Sequence, residues 1–171
     1  MKKIILISVL SLTLLVAFGS IANAQMAKEG TFSIIDYNIY PAAGAKVIAM
    51  GEERVHCIYE ITGTLVNDAG KGFLHSAGSH WLGQLHAVNG VKELETGFIV
   101  YTDADGDKVY LTYDWKGMAF KSSKGLGTFV GGTGKYAGIT GGCEMTWRPA
   151  PQPKKDVYCG ITTLKGHYKL P

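Results

Sequence analysis

Short β-branched and aromatic runs, repeatedly interrupted by Gly, Asp and Asn, constrain the fold of this chain more than any other feature. They recur from residue 30 to the C-terminus, and hardly any segment has the 3.6-residue apolar period of a helix. The segment 41–50 is expected to be a linking loop or a short helical turn. The pattern predicts eight strands, at 30–38, 54–66, 72–86, 92–102, 108–116, 125–130, 142–147 and 156–168.

Eight strands of similar length, joined mostly by short turns, favour an antiparallel sheet that closes on itself. Closure into a barrel removes exposed strand edges. Residues 67–70 and the pair Asp105-Gly106 are typical of tight turns, and glycines within strands permit the sharp bends of a small barrel. The predicted fold is therefore all-β, a single eight-stranded antiparallel β-barrel of calycin-like size. Its interior is filled by side chains or holds one small ligand.

The N-terminal residues have the pattern of a secretory signal peptide. Two lysines follow Met1, residues 4–18 are largely apolar, and Ala22-Asn23-Ala24 places small residues where a signal peptidase cleaves. The apolar run is shorter than the roughly 20 residues that span a bilayer. We expect residues 1–24 to be removed, residues 25–171 to form one domain, and the mature protein to be secreted or periplasmic.

The charge balance argues against two classes of partner. The chain has 17 basic and 14 acidic residues, and removal of the predicted signal peptide takes away two lysines, which leaves a net charge of about +1. No block of five like charges occurs, whereas nucleic-acid binding needs a concentrated basic surface. The composition therefore predicts no nucleic-acid partner and no electrostatic docking on a membrane.

The three cysteines raise the question of a disulfide in an exported chain. Cys143 and Cys159 flank a proline-rich connection, and a hairpin centred near Pro151 would place them opposite each other, within disulfide range. We predict a Cys143–Cys159 bridge, and the alternative is two reduced, buried thiols. Cys57 has no cationic neighbours in sequence and is expected to be an inert buried thiol.

The segment 125–141 carries a resemblance to a known family. Its core, GGTGKYAGITG at residues 131–141, resembles the GGTGxYxGAxG stretch of allene oxide cyclase and dirigent-like barrels. The order of the surrounding strands agrees, so the resemblance covers nearly the whole of residues 25–171. It implies an eight-stranded barrel, often a homo-oligomer, with an apolar cavity. Tyr136 is expected to pack over the corner that the glycines form.

The same resemblance supplies no catalytic residue. Cyclases of this family are described as using a glutamate on the first strand, but residues 31–37 contain no glutamate, and Asp36 is the only carboxylate there. The acidic residues of dirigent proteins match no position either. Glu60 and Asp114 alternate with apolar residues so that both are expected to point outward, away from the barrel interior.

No cofactor or metal site is predicted. The segment 132–137 fits a relaxed dinucleotide-binding pattern, but the glycines after it cannot form the helix that such a site requires. Residues 103–107 lack the glycine position and glutamate of a calcium loop. His80 and His86 share a strand face but lie roughly 20 Å apart along it, so they cannot bind one ion.

Aromatic side chains are the candidate ligand-binding residues. Alternation places Tyr59, Tyr113 and Trp115 on barrel-facing positions, where they would line an apolar pocket and offer a hydroxyl or indole N–H to a polar group. His80 and Trp81 follow a run of small residues and are expected to mark the mouth of the cavity. The alternative is ordinary core packing of these aromatics.

Three functions fit these features. The leading hypothesis is an exported barrel that binds a small apolar or phenolic molecule without catalysis. The second is an isomerase or cyclase of the same fold, acting on an unsaturated apolar substrate in a dry cavity. The third is a structural protein with a packed barrel that forms a homo-oligomer.

Overall fold

The computed structural model describes residues 26–171, and the predicted signal peptide, residues 1–24, lies outside them. The described part contains nine strands and two short 3-10 turns, Ala42–Gly44 and Gly134–Tyr136. The strands are β1 (Glu29–Pro41), β2 (Ala45–Ala49), β3 (Arg54–Asn67), β4 (Gly78–Val88), β5 (Val91–Thr102), β6 (Lys108–Gly117), β7 (Ser123–Gly132), β8 (Thr140–Lys154) and β9 (Val157–Lys169).

Eight of these strands form a closed antiparallel barrel, as predicted. The sheet order is β1-β9-β8-β7-β6-β5-β4-β3, and a second pairing of β1, with β3, closes the ring. The segment 41–50, expected to be a linking loop or a short helical turn, contains a short 3-10 turn. It then continues into the additional strand β2, which was not predicted and which pairs only with β3.

Antiparallel order separates the connections into two ends of the barrel. One end, called the rim below, carries the connections 42–53, 89–90, 118–122 and 155–156. The opposite end, called the floor, carries the connections 68–77, 103–107 and 133–139 and both ends of the described chain.

Aromatic side chains fill the floor. The predicted strand 72–86 begins only at Gly78, because Leu74 and Ser76 adopt positive φ angles of 53° and 62° and turn the chain across the barrel end. This turn buries Phe73, whose ring stacks on Tyr168 at a centroid distance of 4.2 Å. The expected continuous strand is thus replaced by a connection that plugs the barrel.

The glycine-rich segment joins two connections of the floor. Tyr136 is fully buried, as expected for a residue over the corner, and its hydroxyl donates to the Asp103 carboxylate. The Lys135 ammonium lies 2.8 Å from Asp103 Oδ2 and 2.6 Å from Asp105 Oδ2. Gly134 must be glycine here, since its φ is 50° and a Cβ would overlap the carboxylate of Asp107. These contacts therefore link the connection between β7 and β8 to the turn between β5 and β6.

The predicted disulfide is wrong. Cys143 lies opposite Gly166 and Cys159 lies opposite Ala150, so the two cysteines are seven positions apart along β9, roughly 23 Å. The hairpin turns at residues 155–156 rather than near Pro151, which changes the register. All three cysteines are free thiols, with Cys57 and Cys143 buried.

Candidate functional site

A buried carboxylate lies inside the barrel. Asp36, on β1, is fully buried. Its Oδ1 accepts a hydrogen bond from Ser79 Oγ at 3.0 Å, and its Oδ2 accepts one from Trp81 Nε1 at 3.1 Å. Ser79 and Trp81 come from β4, so two strands on opposite sides of β3 position one acidic group. We call these three residues the Asp36 group.

Strand alternation and one glycine place Asp36 inward. On β1 the buried positions are Phe32, Ile34, Asp36 and Asn38, every second residue. A Cβ at Gly63 of the neighbouring β3 would overlap Asp36 Oδ1. The missing side chain at that position is what leaves room for the carboxylate beside Ser79.

Burial raises the pKa of Asp36 to about 6, and the hydrogen bonds from Ser79 and Trp81 partly oppose that rise. The nearby Asn38 side chain also lowers the pKa of Asp36, although its Nδ2 makes no hydrogen bond of normal geometry. A carboxyl group with this pKa exchanges its proton close to neutral pH, which suits it to accept or donate a proton or to bind a hydroxyl group.

Three buried side-chain atoms have no hydrogen-bond partner among the described residues, and one of them, Glu95 Oε2, is ion-paired with Lys92. The other two, Asn38 Nδ2 and the Tyr101 hydroxyl, have no partner of either kind. The amide of Asn38 is held on its other side by Thr162, whose Oγ donates to Asn38 Oδ1 at 2.6 Å. Burial, and next the charge of Asp36, raise the pKa of Tyr101 well above its ordinary value, so its hydroxyl stays protonated and available as a donor. Unpaired buried donors favour a bound polar group, since leaving them unpaired costs free energy.

A second polar cluster, called the tyrosine group, lies nearer the rim. Tyr59 donates to Glu95 Oε1 at 2.8 Å, its hydroxyl lies 2.9 Å from that of Tyr113, and Glu95 forms an ion pair with Lys92. Lys92 and Glu95 share the inward face because Glu93 is an extra residue in a β-bulge opposite His86 and Ala87. Burial, and next the interactions with the Tyr113 hydroxyl and the Glu95 carboxylate, raise the pKa of Tyr59 far above its ordinary value.

Two paired glycines make room for the tyrosine group. Gly83 of β4 and Gly97 of β5 lie directly opposite each other in the sheet. A Cβ at Gly83 would overlap the Tyr113 hydroxyl and one at Gly97 would overlap the Leu82 carbonyl oxygen. The two tyrosine hydroxyls therefore occupy the space that side chains at these positions would take.

The structure brings four of the five predicted ligand-binding residues into the interior. Trp81 and Tyr113 pack with ring centroids 5.3 Å apart, and Tyr59 meets Tyr113 through the hydroxyl contact. Trp115 is buried nearer the rim, with the Lys92 ammonium 5.7 Å from its ring centroid. His80 lies on the outer wall instead, where its Nε2 is 2.6 Å from Glu60 Oε1. His80 therefore belongs to the surface and not to the interior set.

The expectation that Glu60 and Asp114 point outward is confirmed, since both are exposed.

Sequence reasoning missed Asp36, Ser79 and Glu95. The first was detectable, because Asp36 stands in alternation with Phe32 and Ile34. Glu95 was not, because its inward direction depends on a bulge that no pattern in the sequence marks.

Residues 26–171 contain no group of three or more His, Cys, Asp or Glu side chains placed to hold a metal ion. In the same part of the chain, no helix has the length and apolar character needed to cross a membrane.

The class of fold follows from the strand topology and from a comparison with solved structures. Residues 26–171 form a closed eight-stranded antiparallel barrel with one additional strand, and the likeness to a solved structure shows that this barrel is dirigent-like in fold. Among solved structures, the chain is similar to a pterocarpan synthase dirigent protein, with a TM-score of 0.54 and 10% sequence identity, over 86% of this chain and 90% of that one. At that identity the likeness establishes the fold alone. The chain matches no protein-family model and no curated protein.

Proposed function

We propose that this protein is an exported dirigent-like barrel that binds a small apolar or phenolic molecule at the Asp36 group. One observation carries the proposal. A buried carboxylate lies in the same interior as two donors without partners, Asn38 Nδ2 and the Tyr101 hydroxyl. A packed core that binds nothing gains no stability from such groups, because each unpaired donor costs about 1–3 kcal/mol.

The arrangement matches the chemistry of a phenol. A phenolic hydroxyl would donate to ionised Asp36, and an oxygen substituent of the ring would accept from Asn38 or Tyr101. The Trp81–Tyr113 pair offers an aromatic surface for the ring itself. The dirigent protein of similar fold is named as a pterocarpan synthase, which is consistent with an aromatic ligand.

Titration calorimetry with 4-propylphenol and with its methyl ether tests this proposal. The ether has the same apolar body but cannot donate a hydrogen bond, so the phenol should bind at least tenfold more tightly, as expected for a bond to a charged acceptor. Asp36→Asn should abolish that preference, and the matched exposed variant Asp114→Asn should keep it. Equal affinities for phenol and ether in the wild type would refute the role of Asp36. Absence of binding by either compound would favour the packed, structural barrel.

A proton-transfer enzyme is the second candidate, because of the pKa of Asp36. The carboxylate lies on the first strand, the same strand that carries the glutamate of the allene oxide cyclases that the sequence resembles. An isomerase or cyclase would turn over an unsaturated fatty-acid epoxide, with a rate that rises as Asp36 ionises near pH 6. Turnover that persists in Asp36→Asn would exclude the residue from this role.

Export and subunit number are proposals with separate tests. Intact-mass analysis of the protein from the host's envelope and medium should show an N-terminus at Gln25, and a retained Met1 would refute cleavage. Light scattering of that material should give a multiple of the mass of residues 25–171. A monomer would refute the homo-oligomer that the resemblance implies.

A further inference from the structure

The two ends of the barrel differ in their exposed apolar side chains. Each end comprises its connections and two flanking residues on either side of each connection. The rim segments, 40–55, 87–92, 116–124 and 153–158, contain seven large apolar residues that are at least one-third exposed. Phe120 is 71% exposed, Ile48 is 62% and Val47 is 58%. The corresponding floor segments contain one such residue, Val66.

The ends differ in charge as well. The rim segments carry seven exposed basic residues and three exposed acidic ones, while Lys92 is buried against Glu95. The floor segments, with residues 26–30 and 168–171, carry five basic and five acidic residues. The near-neutral sum that the composition suggests therefore conceals a basic, apolar rim.

Strand β2 contributes most to this rim. All of its residues except Ala45 are exposed, so neither face of the strand is covered, and it pairs only with β3. The strand carries Lys46 next to two adjacent exposed apolar residues, Val47 and Ile48. Such a combination on an exposed edge is unusual for a surface that contacts only water. The exposed side chain of Phe120, beside Lys121 in the β6–β7 connection, repeats the same combination.

We propose that the rim is a docking surface for a lipid bilayer that contains anionic phospholipids. Apolar tips flanked by basic side chains match the interface of such a bilayer, because the tips enter the boundary between headgroups and acyl chains while the lysines meet the negative headgroups. A second copy of the chain is a poorer match, since contact between two rims would oppose two basic surfaces. Docking by this end directs the rim connections toward the lipid and leaves residues 26–30 and 168–171, at the floor, facing water.

Vesicle sedimentation tests the proposal independently of any ligand. Vesicles of phosphatidylcholine with 30% phosphatidylglycerol should bind the protein at least tenfold more tightly than pure phosphatidylcholine, and raising the salt concentration should weaken binding. Phe120→Ser should weaken binding about tenfold. Phe98→Ser is the matched control, because Phe98 is 61% exposed on the barrel wall. Each variant carries the same N-terminus as the wild type, so any effect of residues 1–24 cancels.

Charge reversal provides the second arm. Lys154→Glu with Lys155→Glu should reduce binding to the anionic vesicles more than tenfold, because each lysine near an anionic surface contributes to attraction. Lys71→Glu with Lys108→Glu, at the floor, should leave binding within twofold. Circular dichroism verifies that every variant is folded. Equal losses from rim and floor variants, or rim variants that dissociate an oligomer without changing vesicle binding, would overturn the proposal.

Discussion

Replacement of Asp36 by Asn is expected to remove a pH dependence of the free energy of unfolding between pH 4 and 7. In the folded barrel, burial raises the pKa of Asp36 from 3.8 to about 6. The folded state therefore keeps its proton to a higher pH than the unfolded state. Below about pH 3 both states are largely protonated, and the carboxyl group costs little. As pH rises toward 6 the unfolded state ionises first, so stability falls, and above about pH 6 the loss is constant.

The size of this loss of unfolding free energy follows from the shift in the pKa of Asp36. A difference of about two pKa units corresponds to about 3 kcal/mol when the folded group is ionised. The side chain is fully buried, so solvent screening does not reduce this figure greatly. The carboxylate keeps its bonds to Ser79 and Trp81, which is why the loss is no larger.

Urea unfolding at pH 4, 5, 6 and 7 measures the effect. The free energy of unfolding of the wild type minus that of Asp36→Asn should decrease by about 2–3 kcal/mol from pH 4 to pH 7. Asp114→Asn, at an exposed position of the barrel wall, is the matched control for the change of a carboxylate to an amide. A wild-type minus Asp36→Asn difference that stays constant, or that increases with pH, would refute the assignment of Asp36 as a buried carboxyl with a raised pKa.

Three further predictions concern packing, the floor and the thiols. Gly83→Ala should lower the free energy of unfolding by about 1–3 kcal/mol in urea, because its Cβ would overlap the Tyr113 hydroxyl, whereas Gly78→Ala on the same strand meets open space and should cost far less. Tyr136→Phe should lower the free energy of unfolding by about 1.5–3 kcal/mol, since its hydroxyl donates to a carboxylate of the β5–β6 turn, and an unchanged melting temperature would contradict that bond. Alkylation of the unfolded, unreduced protein should label three thiols per chain. Labelling of only one thiol would instead show that two of the cysteines form a disulfide.

The sequence was sufficient for the barrel because the evidence for it is local. Alternation of apolar and polar residues defines which side of a strand faces inward, and it placed Tyr59 and Tyr113 inside and Asp114 outside. The same alternation applied to β1 would have placed Asp36 inside. Residue 36 is an aspartate on the strand where the cyclases are described as carrying a glutamate, so the resemblance by itself assigned it no role.

Other parts of the site depend on contacts that are distant in sequence. The inward turn at Phe73 forms because the floor of the barrel offers Tyr168 and Tyr136 as packing partners, and this overrides the strand pattern of residues 72–77. The hairpin of β8 and β9 extends four residues past Ala150, so the expected register of Cys143 and Cys159 failed. Hairpin length and bulges are determined by the whole ring of strands and not by the local sequence.

The two ends of the described chain meet at the floor. Glu29 pairs with Lys169, and the Lys28 ammonium donates to the Pro171 carbonyl oxygen at 2.8 Å. A linker of a few residues could therefore join Pro171 to Lys28, and the chain could be reopened at the exposed turn around Gly106. Such a circular permutant would keep every strand pairing of the ring, and it would allow a fusion partner to be attached at a new point of the floor without approaching the opposite end of the barrel.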